Sequence, residues 1–391
     1  MNTKELVLKE YDHLISLRRY FHQHPEPALE EVKTCEKIVQ ELTNYKIPFE
    51  YIAKTAIVAT INGTKKPTGK TVALRSDIDA LKMADLKNVG YKSTHEGLCH
   101  ACGHDAHTAT LLIAAKILKQ KSDEFSGVIK LFFQPAEEVG DGAHLFVNQG
   151  HLKGVERVFS VHVSSSIPSG KIAITPGPVQ ASCDLFTIEV TGRGAHVAQP
   201  QKGIDALYIA SQIVINLQSI ASRNTAALDS VIVGIGTMQA GTQYNIVAEG
   251  AKLEGTTRAF TPEIRNFTNK RVTEIAKQTA ELFGGSAKIS WRDLAPPVIN
   301  EFNATKEAQK IANLIYSPEN VITNQEKQLG ADDFALMINE TKGVYAYVGT
   351  QNDENSNTSV AHHHGLFDID EKALINSVRM YIDYALSVLN Q

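Results

Sequence analysis

The chain has 391 residues, too many for one ordinary hydrophobic core, so two domains are the first expectation. Its 39 basic and 43 acidic residues leave a formal charge of −4, which gives no electrostatic footprint for nucleic acid or an anionic membrane and points to a small-molecule partner. No stretch reaches the ~18 uninterrupted apolar residues of a membrane span. The first residues lack a signal-peptide apolar core and cysteines are few, so a cytoplasmic protein is expected.

Taken in order, residues 5–45 read as two helices broken by His24-Pro25-Glu26-Pro27, because Leu6, Tyr11, Leu14, Ile15 and Leu17, then Val32, Ile38, Val39 and Leu42, follow helical spacing. A strand at 57–61 ends at Asn62-Gly63, a hairpin-turn dipeptide. A second strand, 71–75, runs into Ser76-Asp77-Ile78-Asp79. Acidic residues at the C-terminal end of a strand sit where open α/β sheets place their sites, and Asp77 is the better candidate of the two.

The stretch Cys99-His100-Ala101-Cys102-Gly103-His104-Asp105-Ala106-His107 then packs metal-binding groups more densely than a solvated loop requires. Thiolate and imidazole are preferred donors for zinc and related ions, and Cys102 and His104 straddle a glycine that leaves the backbone free to turn both onto one ion. A Cys-x-x-Cys before a helix is also a thioredoxin-like signature, but that chemistry needs no surrounding histidines. The helix that follows, 106–119, puts the cluster at its N-terminus with Asp105 as its expected cap.

An apolar run at 127–133 reads as a strand buried on both faces and stops at Gln134-Pro135-Ala136-Glu137-Glu138. Two adjacent carboxylates there are costly unless paired or coordinated; their side chains point different ways, so one can bind metal while the other works as a base. A third strand, 157–163, carries His162 near its end.

From Cys183 the texture changes to the alternation of a half-exposed strand, followed by Gly192-Arg193-Gly194-Ala195-His196. A helix at 204–222, strands at 230–238 and 247–259, a helix at 262–283 and a strand at 287–291 complete a βαββαβ order, the pattern of a small ferredoxin-like sheet with two helices on one face. The expected organisation is an α/β catalytic domain of residues 1–181 and 296–391 with a domain of 182–295 inserted. In the returning segment, strand 344–349 precedes a histidine triplet, His362-His363-His364, which reads as a ligand loop.

Cys102, His104, Glu138, His162 and one histidine of the triplet, with Glu137 left unliganded, make five donors, too many for one tetrahedral ion. Two ions sharing a bridging group and a water account for all five, and such a pair activates the water and polarises a carbonyl for hydrolysis.

The motifs Arg18-Arg19-Tyr20-Phe21-His22-Gln23-His24-Pro25-Glu26, Arg75-Ser76-Asp77-Ile78-Asp79-Ala80-Leu81, His100-Ala101-Cys102-Gly103-His104-Asp105, Gln134-Pro135-Ala136-Glu137-Glu138 and Gly192-Arg193-Gly194-Ala195-His196-Val197-Ala198-Gln199-Pro200 together resemble the di-metal amidohydrolases of the aminoacylase and zinc-carboxypeptidase clan, in the branch of hippurate hydrolases, auxin-conjugate hydrolases and N-acetyl-amino-acid deacetylases. The resemblance spans almost the whole chain and implies a mixed-sheet, di-metal exopeptidase-like catalytic domain with a lid and dimerisation domain inserted. It implies Cys102, His104, Glu138, His162 and His363 as metal ligands, with Glu137 the acid/base. It further implies that His196 stabilises the oxyanion, that Asn245 and Arg258 hold the substrate carboxylate, and that the inserted domain forms a homodimer.

The expected substrate is an N-acyl amino acid and the expected cofactor two divalent ions, manganese or zinc, with nickel or cobalt as substitutes. Dipeptide cleavage at the same centre is the rival reading within enzymes; outside them it is a binding protein that has lost turnover, against which the intact Glu137 and His196 argue. The chain departs from the relatives' pattern in three places: Cys99 where an apolar residue is common, Gly365 where proline is common, and Lys82-Met83 after Leu81 where proline is common. Cys99 and Cys102, three residues apart, could approach disulfide distance in the metal-free state.

Overall fold

The computed structural model describes residues 2–66 and 69–390, and divides into two compact units. Residues up to Val179, Ile299–Glu326 and those from Asp333 onward form the larger; Gln180–Val298 and Lys327–Asp332 form the smaller. Against the expected insertion of 182–295, the boundaries lie a few residues further out, and a second short segment joins the smaller unit. That segment is recruited by pairing between Gln180 and Gln328 and by the Ala181 N–H, which donates to the Gly330 carbonyl at 2.9 Å.

The larger unit opens with α1 (Thr3–Lys9), α2 (Tyr11–Gln23) and α3 (Val32–Asn44). The first expected helix is therefore two, parted at Glu10. Its strands are β1 (Phe49–Ala53), β2 (Ala56–Asn62), β3 (Thr71–Asp77), β4 (Val128–Gln134), β5 (Arg157–Pro168) and β6 (Ile172–Ala173). With β13 (Val321–Ile322) and β14 (Gly343–Gln351) they build one mixed sheet of order β1-β2-β4-β3-β5-β14-β6-β13. Asn62-Gly63 is not the expected hairpin turn, because β2 pairs antiparallel with β1 and β4 while the Gly63 N–H donates to the Gly127 carbonyl.

The four central strands, β4, β3, β5 and β14, are parallel, so their C-terminal ends lie along one edge. Helix α4 (His104–Gln120) packs against β3, α2 and α10 (Leu374–Leu389). It is buried on nearly every face from His104 to Leu118, which is why its sequence is apolar all round and lacks the usual polar stripe. The remaining helices of this unit are α5 (Ala143–Asn148), α8 (Phe302–Tyr316) and α9 (Phe334–Glu340). Strands β7 (Gly177–Gln180) and β12 (Val298–Asn300) pair where the chain leaves and re-enters it.

In the smaller unit, β8 (Cys183–Thr191), β9 (Val231–Ala240), β10 (Gly250–Ala259) and β11 (Ser286–Ala295) form an antiparallel sheet of order β11-β8-β10-β9, with α6 (Ala206–Leu217) and α7 (Pro262–Leu282) between them in sequence. This is the expected βαββαβ order. Alternate residues of β8, Phe186, Ile188 and Val190, join Ile209, Ile213, Val272 and Ala276 of the two helices in one apolar core. No helix among the described residues is long and apolar enough to cross a membrane.

Candidate metal centre

The residues Ala101 to Gly103 lead into α4 through one position that only glycine accommodates. Gly103 caps α4 with φ at +92°, and a Cβ there would stand 2.3 Å from Cγ2 of Val163 on β5. Only glycine fits, so Cys102 and His104 are drawn tight against the end of β5. The expected helix cap is corrected: Asp105 makes no cap bond and faces inward, where it accepts from His22 Nδ1 at 2.6 Å and pairs with Arg18 Nε at 3.1 Å. Burial would push its carboxyl up, but Arg18 and His22 hold it far below the usual range. His22, lowered by burial yet raised by Asp105, is pushed up to about 9.

Donor atoms of Cys102, His104 and His162 all lie within 4.8 Å of one another, as do those of Cys102, Glu138 and His363, and those of His104, Glu137 and Glu138. Cys102 Sγ is 3.5 Å from His162 Nε2, and His363 Nε2 is 3.4 Å from Glu138 Oε2. The imidazoles of His104 and His162 spend their Nδ1 atoms on backbone carbonyls, of Asp79 at 2.9 Å and of Val163 at 2.7 Å. That fixes the tautomer and aims each Nε2 inward as a lone pair. His104 Nε2 and Glu138 Oε1 are buried without a hydrogen-bond partner, a costly state that a cation among them would relieve.

The electrostatics match a cation site. Burial pushes the Cys102 thiol up and the Glu138 carboxylate adds to it, a penalty removed when a divalent ion stands between them. Hydrogen bonds to Cys102 and Glu138 push His363 up to about 10, so the same anionic pair already favours positive charge there. Burial holds His162 well below its ordinary value, leaving it the neutral imidazole that a metal needs. His104, opposed by burial, is raised well above its ordinary value by Asp77 and Cys102.

Ala136, before the glutamate pair, and His363 both sit in the left-handed region, at φ 55° and 62°. Each such torsion costs about 1–3 kcal/mol and persists where surrounding structure over-determines it. Glu137 and Glu138 form one short turn; Glu137 Oε2 and Glu138 Oε1 each lie 3.9 Å from His104 Nε2, while the Glu138 N–H donates to Asp79 Oδ2 at 3.0 Å.

Asp77 and Asp79 take different places. Asp77 is buried behind the donors, held by Arg75 Nη1 at 2.6 Å and by His107 Nδ1 at 2.6 Å, and 3.8 Å from His104 Nε2. Asp79, passed over in favour of Asp77, touches both the His104 ring, with Oδ1 3.3 Å from Nδ1, and the Glu138 backbone. Asp79 lies two residues past the end of β3, so strand alternation does not place it, and only its nearness to Asp77 in the sequence signals it. Cys99 and Cys102 face different partners, since Cys99 Sγ is buried 3.7 Å from Lys87 Nζ while Cys102 meets His162.

His196, Asn245 and Arg258 belong to the smaller unit. There His196 pairs with Ile246, the Val197 N–H donates to the Asn245 carbonyl at 3.1 Å, and Arg258 lies on β10 opposite Ile232.

A mixed sheet delivering thiolate, imidazole and carboxylate donors to overlapping groups that share Cys102, His104 and Glu138 defines a dinuclear metal hydrolase. Residues 73–387 match the model of Peptidase family M20/M25/M40, and the chain belongs to that family. It is similar to the N-acetylcysteine deacetylase of Bacillus subtilis (35% identical over 381 residues, 96% of this chain and 97% of that one) and to the hippurate hydrolase of Campylobacter jejuni (32%, covering the whole of both). Among solved structures it resembles a dinuclear metal binding peptidase of the M20 family from Bacillus subtilis, at TM-score 0.84 and 32% identity over 97% of this chain and 98% of that one. The protein is thus an enzyme acting on amide bonds with two divalent metal ions.

Proposed function

We propose that the protein hydrolyses the amide bond of N-acyl amino acids, releasing a carboxylic acid and a free amino acid, with two divalent ions held by Cys102, His104, Glu138, His162 and His363. The observation that carries this reading is that the two donor groups, Cys102–His104–His162 and Cys102–Glu138–His363, meet at one thiol, as two ions with a shared ligand require. When bound, the ions supply Lewis acidity toward water and the amide carbonyl.

Glu137 is left as the acid/base beside these donors: its carboxylate takes a proton from the attacking water and returns it to the leaving amine. Asp77 supports the donors from behind. His196 stabilises the oxyanion, and Asn245 with the forked guanidinium of Arg258 holds the substrate carboxylate. The smaller unit provides a homodimer contact, the enzyme works in the cytoplasm, and manganese or zinc fills the centre, with nickel and cobalt as substitutes. The names of the deacetylase and hippurate hydrolase relatives support an acyl amino acid as substrate. The solved relative named as a peptidase supports the alternative, a dipeptide.

A panel of N-acetyl, N-benzoyl and N-succinyl amino acids, assayed beside dipeptides with each metal, separates them. Higher kcat/KM on acyl amino acids is expected; higher kcat/KM on dipeptides would move the assignment to the peptidase reading.

A further inference from the structure

Strand β5 outruns its neighbour. Pairing with β3 extends from Val72–Arg157 to Arg75–Ser160, and β3 ends at Asp77, whereas β5 continues to Pro168. Amide groups on the bared edge need other acceptors. The Val161 N–H donates to the Tyr381 hydroxyl at 3.3 Å, and the Val163 N–H donates to Nε2 of His107 at 3.0 Å. A ring nitrogen that accepts an amide carries no proton, so the His107 proton is on Nδ1, which donates to Asp77 Oδ1 at 2.6 Å. His107 and Asp77 are each only 1% exposed, and Arg75 Nη1 holds the other Asp77 oxygen at 2.6 Å.

Val163 is therefore gripped twice, at its N–H by His107 and at its carbonyl by Nδ1 of His162. The His107 ring also packs edge-on against the His162 ring, with centroids 4.6 Å apart. Glu138 and His363, by contrast, follow β4 and β14 rather than β5.

We propose that the Asp77–His107 pair is a positioning device for His162: it replaces β3 as the hydrogen-bonding neighbour of β5, sets the height and orientation of the His162 ring, and so tunes the affinity of one ion of the two, the one held by Cys102, His104 and His162. This rests on the ligand assignment proposed above. Asp77 acts through His107, which explains why a carboxylate so near the donors is tied to an arginine instead of being aimed at an ion.

The test loads the full-length enzyme with cobalt(II), equilibrates it against graded chelator, and reads cobalt per chain by elemental analysis together with the visible cobalt bands. Wild type should hold two ions. His107→Leu should weaken one by about 10–100-fold, the usual effect of losing a partner that orients a ligand, with the other unchanged and one set of bands lost first. His107→Gln, whose Oε1 can accept the Val163 amide, should recover most of that loss, and Asp77→Asn should fall between. A wild-type chelator profile in His107→Leu, or equal weakening of both ions, overturns the proposal. If His107→Leu does not fold, Asp77→Asn is judged by the same two criteria. A wild type that holds fewer than two ions overturns the ligand assignment, and the proposal with it.

Discussion

Gly103 allows a perturbation whose size can be worked out. Replacing it with alanine adds one methyl group to a residue at φ +92°, 2.3 Å from Cγ2 of Val163, which is itself 2% exposed. Holding an L-residue in left-handed torsion costs about 1–2 kcal/mol. Relieving the contact needs a shift of about 1 Å in either β5 or the ligand loop, and overpacking of this kind costs about 1–3 kcal/mol. Gly103→Ala should thus lose about 2–5 kcal/mol in urea unfolding of the metal-free protein, and more when loaded, because the shift separates Cys102 and His104 from His162. The two parts can be divided by a double-mutant cycle. Val163→Ala removes the offending methyl, so the double variant should recover the steric part, about 1–3 kcal/mol, and keep the torsional one. Wild-type stability in Gly103→Ala, or effects that add within about 0.5 kcal/mol across the cycle, would refute the reasoning.

Glu137→Gln should abolish turnover with both ions retained, because an amide cannot shuttle a proton; metal loss measured by elemental analysis would mean that the two glutamates have exchanged roles. Arg18→Met should cost about 3–5 kcal/mol at pH 7 by removing the buried guanidinium between Asp105 and Asp368, which leaves Asp105 with His22 and Asp368 with the Tyr91 hydroxyl as remaining partners. Burial raises both carboxyls, but Arg18 together with His22 at Asp105 and with Tyr91 at Asp368 more than reverses it, so their folded values lie below the unfolded ones; the stability they contribute is present above about pH 4 and lost as pH falls. Urea unfolding should therefore show a smaller deficit for the variant at about pH 3 than at pH 7, and an equal deficit would show that packing, not charge, is at stake. Arg258→Ala should raise KM steeply for N-acyl amino acids and much less for the corresponding amides, which lack the carboxylate; equal losses would make Arg258 a structural residue of the small sheet.

What was legible in the sequence is what local pattern encodes. The βαββαβ order, the buried strands and the clustering of thiol, imidazole and carboxylate at strand ends all follow from periodicity and residue type, and the donors do gather. The rest depends on partners far apart in the chain. Asp105 reads as a cap until Arg18 and His22, more than 80 positions away, claim it. Segment 327–332 reads as part of the catalytic domain until Gln180 pairs with it. The role of His107 depends on β3 stopping short of β5, a register fact that no window of sequence contains. Two of the three departures have a place in the packing: a Cβ on Gly365 would stand 2.4 Å from the Ala84 carbonyl, and Cys99 fills a buried place beside Lys87.

The assignment of Cys102 as the shared ligand is tested most directly by an anomalous-scattering map from crystals of the zinc-loaded enzyme. Two peaks are predicted, each about 2.3 Å from Cys102 Sγ, one also bound by His104 and His162 and the other by Glu138 and His363. A single peak, or a pair in which Cys102 binds only one ion, would contradict the account.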